Sequence, residues 1–467
     1  MSALLSLTVF TSLLLQTPQH LPKPPATEQR PVTNTYFGDV VVDEFQWLEN
    51  QSDPAVQQWA KQQNQYTEKY LRGVPQEFSS RLLELYANSD DWYGEVVSRG
   101  GRVFASELSR LVTMPSLGRS AEAEEIVDTE KLLAADPMHE FIEPSPDGRY
   151  LAVSLMAAAD EKCDILVFDL QQNKKMVDVI KMGYGDLAWA ADSTGFFYSR
   201  EPLPGERPAD EQSFFCQVWY HTVGAAQETD RWEFGQGLPK IAEIELDHDD
   251  ASGQLLVTVQ DGESGNFAHY LRSPSGQYRQ FSTFEDDIVQ AVFGPADTLY
   301  LLTLRDGPMG SIVRISTSTL DTDDAVTIVP HGRQPIVPSF YREPPSIVVT
   351  ETRLFVTYQN GGPTELRVFD HSGRRLPGPR QQTMSTVGGM SVLPNDRILF
   401  TMESWLQPRA TLLFDARAGT SVRLPAFSDL SRPLQNVKWR REFAVSKDGS
   451  RIPLTIISPG DLPDRQR

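Results

Sequence analysis

Short apolar runs separated by turn residues recur from about residue 90 onward, and this pattern constrains the fold more than any other feature. The runs lie at 150–154, 165–168, 195–198, 255–259, 299–302 and 354–358. Turn sequences such as Pro146-Asp147-Gly148 and Asp261-Gly262 supply the positive-φ positions that hairpins need. The pattern predicts many short antiparallel strands and few long helices.

The runs share the same order of residue types, although the residues themselves differ from one unit to the next. In several units a strand ends in Phe-Asp, at 168–169, 369–370 and 414–415. Roughly 350 residues at about 50 residues per unit predict seven blades of about four strands, which we place at residues 89–437. One blade cannot bury both of its faces, whereas blades stacked in a ring bury them and leave few open edges. We therefore expect a mainly β fold, a seven-bladed β-propeller.

Helix signals precede the propeller, in a segment that we place at residues 25–88. Asp53 can cap a helix, Pro54 suits the first helical position, and Gly73 ends the run. A second short helix is expected at 78–86. One face of the first segment is apolar, and two arrangements are open: the helices pack onto the propeller, or the face stays exposed, as a surface for a partner or a source of instability. The residues concerned are Trp47, Val56, Trp59, Tyr66 and Tyr70.

The N-terminus fits an export signal. Residues 3–15 are apolar with interspersed Ser and Thr, and they are too few to span a bilayer comfortably. A polar stretch follows them, as it does in secretory signals. We expect a signal peptide at 1–17 and a periplasmic or secreted protein, with a cytoplasmic protein as the alternative. No other stretch is apolar enough to cross a membrane, so we expect no membrane span.

Composition narrows the range of partners. The chain has 43 Lys and Arg against 63 Asp and Glu, a net charge of −20, which argues against nucleic acid or an anionic membrane as a partner. Two cysteines, Cys163 and Cys216, cannot form a disulfide framework or an all-thiolate zinc site. We expect both to be buried thiols, although export would permit a disulfide between them.

A search for catalytic motifs finds none. The G-x-S-x-G of a nucleophile elbow does not occur, and the nearest sequences, at 262–265 and 389–391, are interpreted as propeller turns. The histidines form no H-E-x-x-H, and the acidic run 247–250 is interpreted as a solvated blade turn rather than a metal site. Residues 183–188 match G-x-G-x-x-A, but a dinucleotide site needs a helix there. We therefore predict no catalytic, cofactor-binding or metal-binding residue, and no cofactor.

The segment around the first helix carries a longer pattern. It consists of Tyr36, Gly38, Val41, Asp43, Trp47-Leu48-Glu49, Trp59, Gln63-Asn64, Thr67 and Tyr70-Leu71. This pattern resembles the opening of the prolyl oligopeptidase family of serine peptidases. Further stretches that resemble the family are Leu187-Ala188-Trp189, Gly195-Phe196-Phe197-Tyr198, Trp219-Tyr220-His221 and 446–453. The resemblance covers nearly all of the chain from about residue 25.

The resemblance implies a seven-bladed propeller that caps a C-terminal α/β-hydrolase domain, which holds the Ser, Asp and His of the catalytic triad. Residues 438–467 resemble only the first hairpin of that domain, so no catalytic residue is assigned, and the chain is expected to be inactive alone. The role implied for the propeller is to gate the access of short peptides to an endopeptidase that cleaves after proline.

Three hypotheses remain open on the sequence. In the first, the chain is half of a serine peptidase and joins a separately encoded α/β-hydrolase domain. In the second, it is a stand-alone propeller that binds peptides or proteins without catalysis. In the third, it is a truncated gene product that folds poorly. Short peptides are the expected partners, and nucleic acid is not.

Overall fold

The structure is a computed structural model that describes residues 23–72, 76–87, 92–107, 109–131, 138–156, 162–337, 345–429 and 436–460. The expected signal peptide at 1–17 and the predicted helix stop at Gly73 lie outside the described residues. The chain divides into two compact units, Met1–Asn88 and Ser89–Arg467. None of the helices in the described ranges is long and apolar enough to cross a membrane.

The first unit contains a hairpin and two helices. Its elements are β1 (Val32–Tyr36), β2 (Asp39–Asp43), α1 (Pro54–Leu71) and α2 (Gln76–Ala87). The Asp53 side chain accepts a hydrogen bond from the Ala55 N–H at 2.8 Å, so the predicted cap and the proline at the first helical position are confirmed. The second helix is also confirmed, and it begins two residues earlier than predicted.

The apolar face of α1 is covered only in part within its own unit, and Tyr70 near its end is 46% exposed. Trp59 Nε1 donates to Thr27 Oγ1 at 3.0 Å, and Gln63 Nε2 donates to the Pro25 carbonyl at 3.1 Å. Val56 is buried. The extended segment before β1 therefore packs against part of the helix, a contact that neither sequence alternative included, while Tyr70 stays exposed as one of them expected.

Seven four-stranded antiparallel sheets make up the second unit. Blade 1 holds β3 (Gly94–Arg99), β4 (Arg102–Glu107), β5 (Arg110–Met114) and β6 (Glu124–Asp128). Blade 2 holds β7 (Met138–Pro144), β8 (Tyr150–Met156), β9 (Cys163–Asp169) and β10 (Lys174–Gly183). Blade 3 holds β11 (Leu187–Trp189), β12 (Gly195–Arg200), β13 (Gln217–Thr222) and β14 (Arg231–Phe234). Blade 4 holds β15 (Ala242–Asp249), β16 (Gln254–Asp261), β17 (Phe267–Arg272) and β18 (Tyr278–Ser282).

The remaining blades follow the same plan. Blade 5 holds β19 (Ile288–Gly294), β20 (Thr298–Thr303), β21 (Ser311–Ser316) and β22 (Val326–Val329). Blade 6 holds β23 (Ile347–Val349), β24 (Leu354–Gln359), β25 (Thr364–Phe369) and β26 (Arg375–Leu376). Blade 7 holds β27 (Thr386–Leu393), β28 (Arg397–Ser404), β29 (Gln407–Asp415) and β30 (Thr420–Arg423). A hairpin of β31 (Val437–Val445) and β32 (Arg451–Pro459) follows the ring. The predicted seven-bladed propeller is confirmed.

The ring closes between blade 7 and blade 1, where β27 lies beside β3. Ser391 Oγ donates to the Val96 carbonyl at 3.2 Å, and the Tyr93 N–H donates to the Ala426 carbonyl at 2.9 Å. The ring centroids of Tyr93 and Phe427 are 5.5 Å apart. Because each of these blades keeps its own four strands, side-chain and loop contacts close the ring rather than a shared strand.

The apolar core lies between neighbouring blades. Trp189 on β11 is fully buried, stacks on Tyr150 of blade 2 with ring centroids 6.0 Å apart, and meets Phe196 edge-on. Its Nε1 donates to the Glu143 carbonyl at 2.8 Å, which satisfies the indole. Each blade thus buries its faces against its neighbours, as the ring argument requires.

Candidate functional site in the axial channel

Carboxylates from four successive blades converge inside the ring. Glu95 lies on β3, Glu143 on β7 and Asp247 on β15, and Asp186 directly precedes β11. Glu143 interacts electrostatically with the other three, and Asp247 also interacts with Asp186. Since β3, β7, β11 and β15 are the innermost strands, side chains from blades 2 and 4 can meet only at the central channel. We call these four residues the acidic wall.

Two members of the acidic wall bond to the backbone of the next blade. Glu95 Oε1 accepts a hydrogen bond from the Ile142 N–H of blade 2 at 3.0 Å. Asp186 Oδ2 accepts one from the Leu246 N–H of blade 4 at 2.8 Å. These carboxylates therefore fix the register between adjacent innermost strands, and they also carry charge into the channel.

The other two members have raised pKa values. Burial, followed by repulsion from Asp186, raises the pKa of Glu143 to about 8, while Arg99 opposes the shift. The same two causes raise the pKa of Asp247 to about 6, although its side chain is reached by solvent. A carboxyl that solvent reaches and that protein still encloses is what a channel wall provides. At neutral pH Glu143 is therefore largely protonated.

The acidic wall can attract and hydrogen-bond cationic groups, but it offers no covalent chemistry. Within the described residues no three His, Cys, Asp or Glu side chains are grouped so that they could hold a metal ion. Carboxylates without an adjacent nucleophile or substrate-activating group make a binding or steering surface.

Another cavity opens on the outside of the ring, between blades 2 and 3, with a volume of about 710 Å³. Three lysines line it, and two of them are paired with carboxylates. Lys162 Nζ lies 2.9 Å from Glu201 Oε2, and Lys181 Nζ lies 2.5 Å from Asp164 Oδ2. This cavity is therefore a weaker candidate than the channel for a charged ligand.

The comparison with known proteins matches this architecture. The family model described as the prolyl oligopeptidase N-terminal β-propeller domain matches residues 24–424. The chain belongs to the prolyl oligopeptidase family. It is 22% identical over 454 residues to a prolyl endopeptidase of Elizabethkingia meningoseptica, and 21% identical over 463 residues to protease 2 of Moraxella lacunata. Each alignment covers 93% of this chain.

The structural relatives show the same fold. A prolyl endopeptidase studied for inter-domain dynamics in catalysis and specificity superposes with a TM-score of 0.83 at 21% identity, over 94% of this chain and 65% of its own. Oligopeptidase B from Leishmania major gives a TM-score of 0.74 at 16% identity, over 94% of this chain and 66% of its own. The chain spans 61% and 63% of the length of the two curated relatives named above.

Three of the family-like stretches, at 187–189, 195–198 and 219–221, lie in blade 3. His221 Nδ1 lies 2.8 Å from Asp230 Oδ1, and the Tyr198 hydroxyl donates to Asp230 Oδ2 at 2.7 Å. The side chains of His221 and Asp230 are 1% and 2% exposed, so a substrate cannot reach this His–Asp pair. The motif that resembles the prolyl oligopeptidase family is therefore structural here, because it joins β12, β13 and the strand that follows.

The other motif-like stretches and the two cysteines lie in strands, turns and buried positions. Residues 262–264 form a single turn of 3-10 helix that ends at Gly265, as predicted. The predicted turn at 389–391 is wrong, because these residues lie within β27, at an irregularity in its pairing with β28. Both cysteines are free and buried, and burial raises the pKa of Cys216 to about 12, so this thiol is a poor nucleophile. The run 183–188 leads into β11 rather than a helix.

Sequence reasoning missed the acidic wall. Glu95, Glu143, Asp186 and Asp247 lie far apart along the chain, and each on its own looks like an ordinary polar residue of a half-exposed strand. The available signal was their common place on or just before the first strand of four successive blades. That place is visible only once the blade boundaries are known.

Proposed function

We propose that this chain is the substrate-gating propeller portion of a prolyl oligopeptidase-like serine endopeptidase, which cleaves short peptides after proline. The observation that carries this proposal is the match of residues 24–424 to the family's propeller domain. The triad Ser, Asp and His would be supplied by an α/β-hydrolase domain, since the 467 residues contain no nucleophile elbow.

The final hairpin supports the presence of such a partner. Its two strands expose apolar side chains on both faces, with Trp439 and Phe443 on one face and Leu454 on the other. An isolated two-stranded ribbon is marginally stable in water, and exposed apolar area marks a surface that another element covers. Arg441 holds the hairpin to blade 6 by donating to the Asn360 carbonyl at 2.8 Å. We propose that the sheet of the hydrolase domain continues from this hairpin.

The channel would select substrates by size and charge. A peptide can pass through the channel that the innermost strands line, whereas a folded protein is too wide. A propeller that closes over the active site also excludes bulk water. The net charge of −20 and the acidic wall favour peptides with cationic side chains.

Reconstitution tests the proposal. The 467-residue chain is assayed with a fluorogenic prolyl peptide, alone and after mixing with an α/β-hydrolase domain of the family. We expect no turnover and no fluorophosphonate labelling for the chain alone, and size-dependent cleavage in the mixture. Turnover by the pure chain alone, or a mixture in which the chain changes neither rate nor substrate size, would contradict the proposal.

A stand-alone peptide-binding propeller is the second candidate, and the acidic wall is the observation that favours it, since it needs no hydrolase domain to bind a cationic peptide. Calorimetry with lysine-rich and glutamate-rich peptides separates the two functions. Tight binding of the cationic peptide, together with no effect of the chain on the hydrolase domain, would favour this candidate.

We also propose that the protein is exported, on the basis of the apolar residues 3–15. Fractionation of cells that express the full chain, followed by N-terminal sequencing, tests this. An intact Met1 on protein in the cytoplasmic fraction would contradict it.

A further inference from the structure

A cavity of about 600 Å³ lies between blades 5 and 6, and its described lining shares no residue with the acidic wall. This volume is in the range of sites that hold small molecules. Its polar side chains come from β20, from β21, from the connection between β21 and β22, and from the turn after β25. They include Thr298, Tyr300, Arg314, Asp321, Asp324 and His371.

Arg314 supplies positive charge to the cavity. It lies on β21, directly opposite Tyr300 on β20. Side chains directly opposite each other on neighbouring strands share one face of the sheet, so Arg314 and Tyr300 face the cavity together. Arg314 Nη1 donates to the His371 carbonyl at 3.3 Å. In the part of the chain that the structure describes, no carboxylate pairs with Arg314, so its charge is available to a ligand.

Hydrogen bonds around the guanidinium orient it. His371 Nε2 lies 3.1 Å from the Thr350 carbonyl oxygen and 3.2 Å from that of Glu351, so this nitrogen carries the proton and donates. Nδ1 of the neutral ring then accepts the Tyr300 hydroxyl proton at 2.7 Å. The lone pairs of the Tyr300 oxygen are left for Arg314, which opposes the rise in the Tyr300 pKa that burial causes. Neutral acceptors thus position Arg314 without neutralising it.

Negative charge enters the same cavity from the connection between β21 and β22. Asp321 and Asp324 both line the cavity and are exposed. Asp321 Oδ1 accepts a hydrogen bond from the Asp323 N–H at 2.9 Å, which stabilises the connection. A cavity with a guanidinium and carboxylates that are not paired with each other is complementary to a ligand that carries both charges.

The turn between β19 and β20 keeps the cavity open. Ala296 lines the cavity at a positive φ of 57°, a conformation that favours Gly or Asn over Ala. The corresponding turn of blade 7 also has a positive φ, and there the residue is Asn395. The methyl group of Ala296 leaves space that a longer side chain would fill, and with Pro295 and Ile315 it gives the cavity an apolar wall.

We propose that this cavity binds a short zwitterionic peptide, a dipeptide with both termini free. Arg314 takes its carboxylate, and Asp321 and Asp324 take its ammonium group. The cavity lies at the end of the blades opposite to the β24–β25 turn, which holds the final hairpin through the Asn360 carbonyl. The inference does not rest on the proposed function, although a peptidase of that kind releases products of this chemistry.

Calorimetry tests the site with the 467-residue chain and three forms of one apolar dipeptide. The forms are alanyl-leucine, its C-terminal amide and its N-acetyl derivative. We expect saturable binding of alanyl-leucine at one site per chain. The amide should bind about tenfold more weakly, because it loses a charged hydrogen bond to Arg314. The N-acetyl form should bind about threefold more weakly, because the two Asp side chains are exposed.

Substitutions identify the residue that reads each terminus. Arg314→Gln should weaken alanyl-leucine about tenfold and make the free acid and the amide bind equally, which the loss of a merely structural residue would not do. Arg314→Lys keeps the charge and should retain part of the preference for the acid. Asp324→Asn should weaken alanyl-leucine about threefold and leave the N-acetyl form unchanged.

The matched control is Arg397→Gln. Arg397 is also half-buried, and its Nε donates to the Pro394 carbonyl at 3.0 Å in blade 7, away from the cavity. The affinity for alanyl-leucine should not change in this variant. Circular dichroism checks the folding of every variant, and if Arg314→Gln does not fold, the three peptides on the parent chain decide the outcome.

The absence of saturable binding at millimolar alanyl-leucine would overturn the site. Equal binding of the acid and the amide to the parent chain would do the same. Equal binding of the N-acetyl form would show a site for an anion rather than for a zwitterion. Failure of the reconstituted peptidase would not alter these titrations, so the two proposals fail separately.

Discussion

The seam between blades 6 and 7 and the acidic wall of blades 1 to 4 both enclose carboxylates, with opposite consequences. Asp396, in the seam, is 1% exposed and accepts hydrogen bonds from the Thr350 hydroxyl, the Thr352 N–H and hydroxyl, and Arg417 Nε. Burial alone would raise its pKa, but these donors lower it well below the usual range. On the acidic wall, burial and repulsion raise the pKa of Glu143 to about 8.

The direction of the pKa shift shows whether an ionised carboxylate stabilises the fold or costs stability. A buried carboxylate with four donors fastens two blades together, and it is most stabilising when ionised. On the acidic wall the neighbouring carboxylates repel one another, so ionising Glu143 costs stability, and groups whose pKa values are shifted in this way are common at functional sites. The seam is therefore structural, and the acidic wall is the functional candidate.

Asp396→Ala should give the largest effect of the substitutions considered. It leaves the buried Thr350 hydroxyl and the Thr352 N–H without their acceptor, and we expect a loss of about 3 kcal/mol in the free energy of unfolding. Urea unfolding at pH 7 measures it. The control is Asp192→Ala, which removes the acceptor of Thr194 in an exposed turn and should cost less than about 1 kcal/mol. Equal losses would erase the distinction between a buried seam and an exposed turn.

A buried histidine also makes the free energy of unfolding fall at acid pH, and this contribution has to be measured separately from that of the carboxylates. Burial lowers the pKa of His269 to about 3, and its Nδ1 lies 2.7 Å from Ser282 Oγ. The unfolded chain takes up a proton near pH 6.5 and the folded chain does not, so this stability is present above pH 6.5 and is lost as the pH falls toward 3. The loss is about 2 kcal/mol between pH 7 and pH 5.

His269→Asn should remove that pH dependence while keeping a polar group near Ser282. Urea unfolding of the parent and the variant at pH 7 and pH 5 provides the check. The variant has a lower stability at pH 7 but a smaller change between the two pH values. An unchanged slope would mean that His269 takes up a proton in the folded ring.

The fold was largely predictable because its signals are local. Asp53 and Pro54 define the start of α1, and the turn at Pro146-Asp147-Gly148 has the positive φ at Gly148 that its sequence demands. Trp189 was recognised from a family-like stretch, and it lies in the core between two blades. Each of these features depends on residues that are close together in the chain.

The candidate site was not predictable because its contacts are not local. The run 247–250 was interpreted as a solvated turn, which is wrong for its first three residues, because β15 extends through Asp249 and only Asp250 lies in the turn. Asp250 nevertheless pairs with Arg99, which lies 151 residues earlier, and this partner depends on the number of blades and their order in the ring. The cover of α1 by Thr27 was missed for a similar reason, since the segment before β1 has no periodic pattern.

Glu143→Gln tests the acidic wall at alkaline pH, where it should raise the free energy of unfolding that Asp396→Ala lowers. The folded pKa is raised, so the stability is present below pH 4.5 and is lost as the pH rises through about 8. The variant cannot ionise, and we expect it to be more stable than the parent by about 1–2 kcal/mol at pH 9 and equal to it at pH 4. This gain is smaller than the whole pKa shift implies, because the Glu143 side chain is partly exposed and solvent screens its charge. Urea unfolding at the two pH values measures this, and Glu285→Gln, at an exposed position in the turn between blades 4 and 5, is the control.

A gain from Glu143→Gln at pH 9 that Glu285→Gln matches would reflect only the overall net charge of −20. A loss of stability instead would show that the Glu143 carboxylate has donors in the folded ring, as Asp396 does. Either result would remove the contrast between the acidic wall and the seam.

The smallest effect is the coupling between Glu143 and Asp247, and it decides whether the acidic wall acts as one unit. Repulsion from Asp247 contributes to the raised pKa of Glu143, although the two residues lie on blades 2 and 4. Asp247→Asn removes that charge, so the later gain from Glu143→Gln should shrink by about 0.5 kcal/mol at pH 9. A double-mutant cycle in urea measures the coupling. Additive gains would place the two carboxylates in separate environments, whereas a coupling that about 1 M NaCl reduces shows that they face each other across a water-filled channel.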